Sequence, residues 1–136
     1  MGNGSSIQSW GVALLRVMIG LVFLIHGWEK LFVFGIHRVT GYFGSIGVPS
    51  PALFAPLVTA IELLGGMALI LGVGTRWAAV LLVFDMMGAI FAAKLSGGFF
   101  APAGFEYELT LLVANLSLLL TGPGAASLDK RIRRRA

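Results

Sequence analysis

Charged and titratable side chains sit where the chain is otherwise oily. Glu62 lies in the middle of "PALFAPLVTAIELLGGMALILG" and Asp85 in the middle of "TRWAAVLLVFDMMGAIFAAKL". A carboxylate at mid-bilayer costs at least about 2.5 kcal/mol on insertion scales, so it implies a partner, a proton or a functional site. "RVMIGLVFLIHGWEKLFVFG" carries Arg16 near one end and His26, Glu29 and Lys30 near the other. At 100° per residue, Arg16, Gly20, Phe23, Gly27 and Lys30 fall within about 40° of one helical line, and His26 edges that stripe. Glu29 points away and is given no role. Either Arg16 and Lys30 snorkel to the two interfaces, or the stripe faces a neighbouring helix and its charges point inward.

Depth assigns expected partners. Counting from one membrane edge, Arg16 lies about five residues in and Asp85 about nine to ten, within an arginine's reach. A structural ion pair between Arg16 and Asp85 is therefore expected. Toward the other edge, His26, Lys30, Glu62 and Glu106 are the candidate catalytic residues. Lys94, Glu108 and Asn115 are candidate ligand-binding positions beside them, Glu108 and Asn115 lying on one face of the last apolar stretch. An imidazole, ammonium groups and carboxylates beside aromatic loops suit a polar-headed lipophile or a proton relay. Cysteine is absent, which excludes thiolate metal sites, iron–sulfur ligation by this chain and dithiol chemistry. His26 and His37 are the only histidines and straddle the membrane edge, so a bis-His haem is not expected, and no metal is. Metalloprotease, P-loop and dinucleotide fingerprints do not occur.

The elements that must position these residues are helical. Hydrophobic residues make up 57% of the chain and charged ones 12%, too few charges to clothe a water-soluble surface. Four continuous apolar stretches, about residues 10–34, 51–72, 75–95 and 106–122, approach the ~20 residues that cross a ~30 Å hydrocarbon core. The fold class expected is all-α, a four-transmembrane-helix bundle (10–122) between a short N-terminal tail (1–9) and a basic tail (123–136). The link "GVGT" is tight, making the second and third spans antiparallel neighbours. "GIHRVTGYFGSIGVPS" and "SGGFFAPAGF" are longer, outward-facing loops at the interface or folded back into it. No cleaved signal peptide is expected, because "MGNGSSIQSW" lacks a basic n-region. Arg76 and the tail "DKRIRRRA" share one side, against Lys30, Arg38 and Lys94 on the other. The positive-inside rule then puts both termini in the cytoplasm, in a bacterial inner (plasma) membrane. The tail marks anionic headgroups rather than nucleic acid.

The order of "RVMIGLVFLIHGWEKL", "GVPSPALFAPLVTAIELLGGMALILGVGTRWAA" and "GGFFAPAGFEYELTLLVANLSLLLTGPGAASLD" resembles the DoxX family of small four-helix membrane proteins, over about residues 12–130. On that resemblance Arg16, His26, Gly27, Lys30, Glu62, Gly66, Glu106 and Tyr107 match family-typical positions, which adds Gly27, Gly66 and Tyr107 to the candidate ligand-binding set. At Lys94 the family often carries His, a departure that weakens any mechanism needing an imidazole there. The resemblance implies a membrane component of a redox or oxidative-stress assembly.

Two functions follow as expectations. One is a quinone-linked oxidoreductase subunit, with His26 and Lys30 holding a quinone carbonyl and Glu62 or Glu106 handling protons. Quinone is then the cofactor, held without covalent or metal ligation, and electrons come from a partner protein in a redox complex. The other is a non-catalytic membrane anchor or assembly factor, its buried charges tying helices together. A small-solute or proton pathway is a third, since buried carboxylates mark such routes too. The partners are the lipid bilayer, a redox protein and, through small-residue seams, a second copy as a homodimer.

Overall fold

A computed structural model describes residues 2–136. All regular structure among them is helical. Helix α1 spans Gly2–Trp28 and runs on through a π turn, Glu29–Phe34, to Gly35. Gly35 adopts φ 84°, ψ 148°, a conformation only glycine takes cheaply, and the chain turns there into a short helix, α2, Ile36–Ser45. Helix α3, Pro51–Leu71, starts on a proline whose missing N–H is one of the unpaired donors of any first turn. Gly72 and Gly74 are both left-handed and reverse the chain into α4, Thr75–Ala89. A second π turn, Ile90–Lys94, and a 3-10 turn, Leu95–Gly97, extend α4. Helix α5 covers Glu106–Thr121 and α6 covers Leu128–Arg135.

Three helices are long and apolar enough to cross a membrane: Ser6–Phe34, Pro51–Leu71 and Thr75–Gly97. Helix α5 has 16 residues, about 24 Å at 1.5 Å per residue, which falls short of that length. It packs along α4, which packs in turn on α3, while α1 and α2 lie against α3.

Helices α1 and α3 meet backbone to backbone. A Cβ placed on Gly66 would lie 2.5 Å from the Leu24 amide nitrogen, and one on Gly20 would lie 2.7 Å from the Gly66 carbonyl. One on Gly27 would meet the Leu63 nitrogen at 2.8 Å. The small-residue face expected on the first span is therefore the seam where two backbones touch, the usual device of helices in lipid.

Burial is inverted relative to a water-soluble protein. Arg16, Thr59, Glu62, Thr75 and Asn115 are buried, whereas Leu14, Leu64, Trp77, Phe84 and Leu120 are exposed on the outside. Such a surface suits a hydrocarbon solvent and would aggregate in water. The interior between α1, α3, α4 and α5 is filled by Ile19, Phe23, Leu69, Leu82, Met86, Leu111 and Leu118.

Both connections expected to be loops carry more order than that. The first contains α2, anchored by buried Val39 against α3. The second is closed by Phe105 and Glu106 amides bonding the carbonyls of Gly98 and Phe99 at 2.9 and 2.8 Å. Phe99 packs edge-on against Phe100 and Phe105. The first residues of the basic tail fold back over the bundle.

Candidate functional site

Two polar centres lie at opposite ends of the bundle. At the basic end, which carries both termini, Arg16 is 1% exposed. Its guanidinium donates to the carbonyls of Pro123, Ala125 (3.2 Å) and Ala126 (3.1 Å). The expected Arg16–Asp85 pair does not form. "GPGAA" after α5 leaves carbonyls without helical partners, and buried acceptors must find donors. The five donors of a guanidinium satisfy several at once. The same segment is pinned by Ala125 N–H to Ser9 O (3.0 Å) and Asp129 N–H to Gly72 O (2.8 Å). The Asp129 carboxylate then accepts from the Gly74 and Thr75 amides at 2.7 and 3.0 Å, capping α4 from a distant part of the chain. Burial alone would raise its pKa, but those amide bonds and the Arg133 guanidinium outweigh burial and hold it below its ordinary 3.8.

At the opposite, loop end, Lys30 lies in the first π turn and bonds Glu62 Oε2 at 2.7 Å. The Glu62 side chain is 4% exposed and that of Lys30 23%. Asp85 of α4 lies within hydrogen-bonding reach of the Glu62 carboxyl and faces Lys30. One of its oxygens, Oδ2, is buried without a donor. The Gly27–Leu63 contact sets this geometry: backbones that close put Lys30 one turn onward beside Glu62. One ammonium and two carboxyls, drawn from α1, α3 and α4, thus form the loop-end centre. Charges of both signs from three segments meet in largely apolar surroundings, where each leans on its partners.

The other candidates distribute around it. His26, half-buried, donates from Nδ1 to Val22 O at 2.8 Å, which leaves Nε2 as the free ring nitrogen. Its ring lies 6.1 Å from that of Tyr107 on α5. Lys94, on the second π turn, bonds Pro102 O at 2.7 Å and stands 3.7 Å from Glu108. Both π turns therefore supply a lysine to a carboxylate of another helix, and extra-residue turns of this kind recur at functional sites. Asn115 is fully buried, bonds Leu111 O at 2.9 Å and leaves Oδ1 unpaired. The Glu106 amide closes the Phe99 turn, and among the described residues its carboxylate makes no ion pair. Gly27 and Gly66, expected to touch a ligand, touch the facing helix instead, because backbone already fills the space beside them.

A cavity of about 410 Å³ opens beside the trio, lined by Glu29, Lys30, Phe34, Arg38, Val39, Tyr42 and Phe43. Lys30 belongs to both cavity and ion pair. Arg38, Tyr42 and Glu29 were missed by sequence reasoning. The signal available was "HRVTGY", which places Arg38 and Tyr42 four residues apart on one helical face.

Comparison with known proteins agrees with this membrane architecture. The chain is 37% identical to the uncharacterized membrane protein Rv3486 of Mycobacterium tuberculosis, covering 98% of this chain and 94% of that protein. It is 40% identical to the putative oxidoreductase CatD of Bacillus subtilis over 88% of this chain and 84% of that one. The inner membrane protein YphA of Escherichia coli is 32% identical over 87% of each. No solved structure matches the chain. The DoxX family model matches residues 11–95, and with these relatives it identifies the chain as an integral membrane protein of the DoxX family.

Proposed function

We propose that the chain is the membrane subunit of a quinone-linked or oxidative-stress redox assembly and holds a lipophile's polar head in the loop-end cavity. The observation that carries this reading is the double position of Lys30, which lines the cavity and bonds Glu62 with Asp85 alongside. Two cations, Lys30 and Arg38, and the aromatic rings of Phe34, Tyr42 and Phe43 suit a flat ring bearing carbonyl oxygens. Reduction of a quinone to a quinol takes two electrons and two protons. A redox protein partner would supply the electrons, and Glu62 and Asp85 would relay the two protons, drawn from the aqueous side. The relative named putative oxidoreductase supports a redox setting. In this reading α5 serves as the fourth span, and the basic end with both termini faces the cytoplasm of a bacterial inner membrane.

A second reading is an anchor or assembly factor, favoured by one observation: the same trio cross-links α1, α3 and α4. Titration of the full chain in detergent with decylubiquinone, read by tryptophan quenching, separates the two. The redox reading predicts saturable quenching, weakened about tenfold or more by Lys30→Met, since a charge-assisted hydrogen bond contributes about 1.5–3 kcal/mol. Arg38→Gln, at an exposed position, tests the same cavity if Lys30→Met folds poorly. Absence of saturable binding to the unaltered chain removes the quinone and leaves the assembly role.

A further inference from the structure

A second cavity lies at the other end. It measures about 650 Å³ and is lined by Ser9, Trp10, Leu71, Lys130, Arg131 and Arg134, among others, with no acidic residue. We propose that it binds the phosphate of an anionic glycerophospholipid, with Arg131 and Arg134 on the phosphate and Trp10 and Leu71 flanking the start of the acyl chains.

Helix α6 is built with two sides. Asp129 and Arg133, four residues apart, share the side that caps α4. Lys130, Arg131 and Arg134 occupy the other arc and line the cavity. The only carboxylate of α6 is thereby spent on the Gly74 and Thr75 amides, and the cavity side is purely cationic. Lys130 is held in place by its bond to Ser9 Oγ at 3.2 Å. Among the described residues, Arg131 and Arg134 make no ion pair.

Depth matches a headgroup. Trp10 and Trp77 are 59% and 79% exposed at this end, where indole rings mark the membrane–water interface. The cavity floor of Ile70 and Leu71 is apolar, as a site for glycerol and the first methylenes requires. A zwitterionic ethanolamine or choline head would place its cation among three others with no carboxylate to receive it. The chemistry therefore selects a phosphate ester carrying net negative charge.

Native mass spectrometry of the full chain in detergent, titrated with dioleoylphosphatidylglycerol, tests this. Arg131→Gln with Arg134→Gln is expected to weaken binding about thirtyfold, at about fivefold per basic residue near an anionic head. Arg133→Gln with Arg135→Gln removes the same charge off the cavity and is expected to change binding less than about threefold, because screening weakens charges that do not touch the phosphate. Arg131→Lys with Arg134→Lys retains most of the affinity. Equal losses from the two Gln pairs would mean diffuse surface attraction and overturn the site. Phosphatidylcholine binding as tightly as phosphatidylglycerol would overturn it too. Inorganic phosphate that binds with the same Arg131 and Arg134 dependence and displaces the lipid would reassign the site to a soluble phosphate ester.

Discussion

Lys30→Met and Glu62→Gln should have very different consequences, although they break the same 2.7 Å contact. Methionine keeps the length of Lys30 but deletes the cation beside a carboxyl that is 4% exposed. Breaking a buried pair from one side typically costs about 3–5 kcal/mol, and the 23% exposure of Lys30 puts this case near 3. Glutamine at position 62 instead offers an amide oxygen to Lys30 and an NH2 to Asp85. A hydrogen bond is kept on each side, so the expected cost is about 1 kcal/mol or less. Coupling in the double variant should be about 0.5–3 kcal/mol in the recovering direction, because the methionine no longer faces a charged Glu62. Reversible unfolding in mixed detergent micelles, followed by circular dichroism, measures all four proteins. Equal losses from the two single variants, or a larger loss from Glu62→Gln, would refute the reading that the Lys30 cation is the charge this centre can least lose.

Arg16→Met should leave the Pro123, Ala125 and Ala126 carbonyls without their donor, destabilise the fold by at least about 2 kcal/mol and speed trypsin cleavage in the tail, with Arg16→Lys rescuing in part. Gly66→Ala should force α1 and α3 apart at the Leu24 contact, costing about 1–3 kcal/mol and lowering folded yield, while Gly11→Ala, where a Cβ meets nothing within 4 Å, should be neutral. Asp129 has a depressed pKa when folded, so its contribution is complete above 3.8 and is lost as pH falls through the lower folded value. Thermal unfolding of the wild type and Asp129→Asn should therefore differ at pH 6, by about 1 kcal/mol for a lost helix cap, and converge in strong acid.

Composition and periodicity were enough for the helical, membrane-embedded class, the glycine face of α1 and the inward direction of Glu62, but left Lys30 between the interface and the bundle. Each of these is local. A 100° repeat decides which residues share a helical face, and the cost of charge in hydrocarbon decides that they turn inward. Tertiary structure decided the partners. Arg16 was paired with Asp85 by depth alone, since the sequence does not reveal that the Gly122–Ser127 segment folds back with carbonyls to satisfy. Glu106 sits two residues from Glu108, and yet among the described residues only Glu108 of the two meets a lysine. The cavity beside Lys30 depends on α2 packing against α3, a contact between segments whose spacing along the chain carries no signal. Faces are written in the period of a helix. Which faces meet, and which charge finds which, follows from close approach at Gly20, Gly27 and Gly66, and only the folded molecule fixes that register.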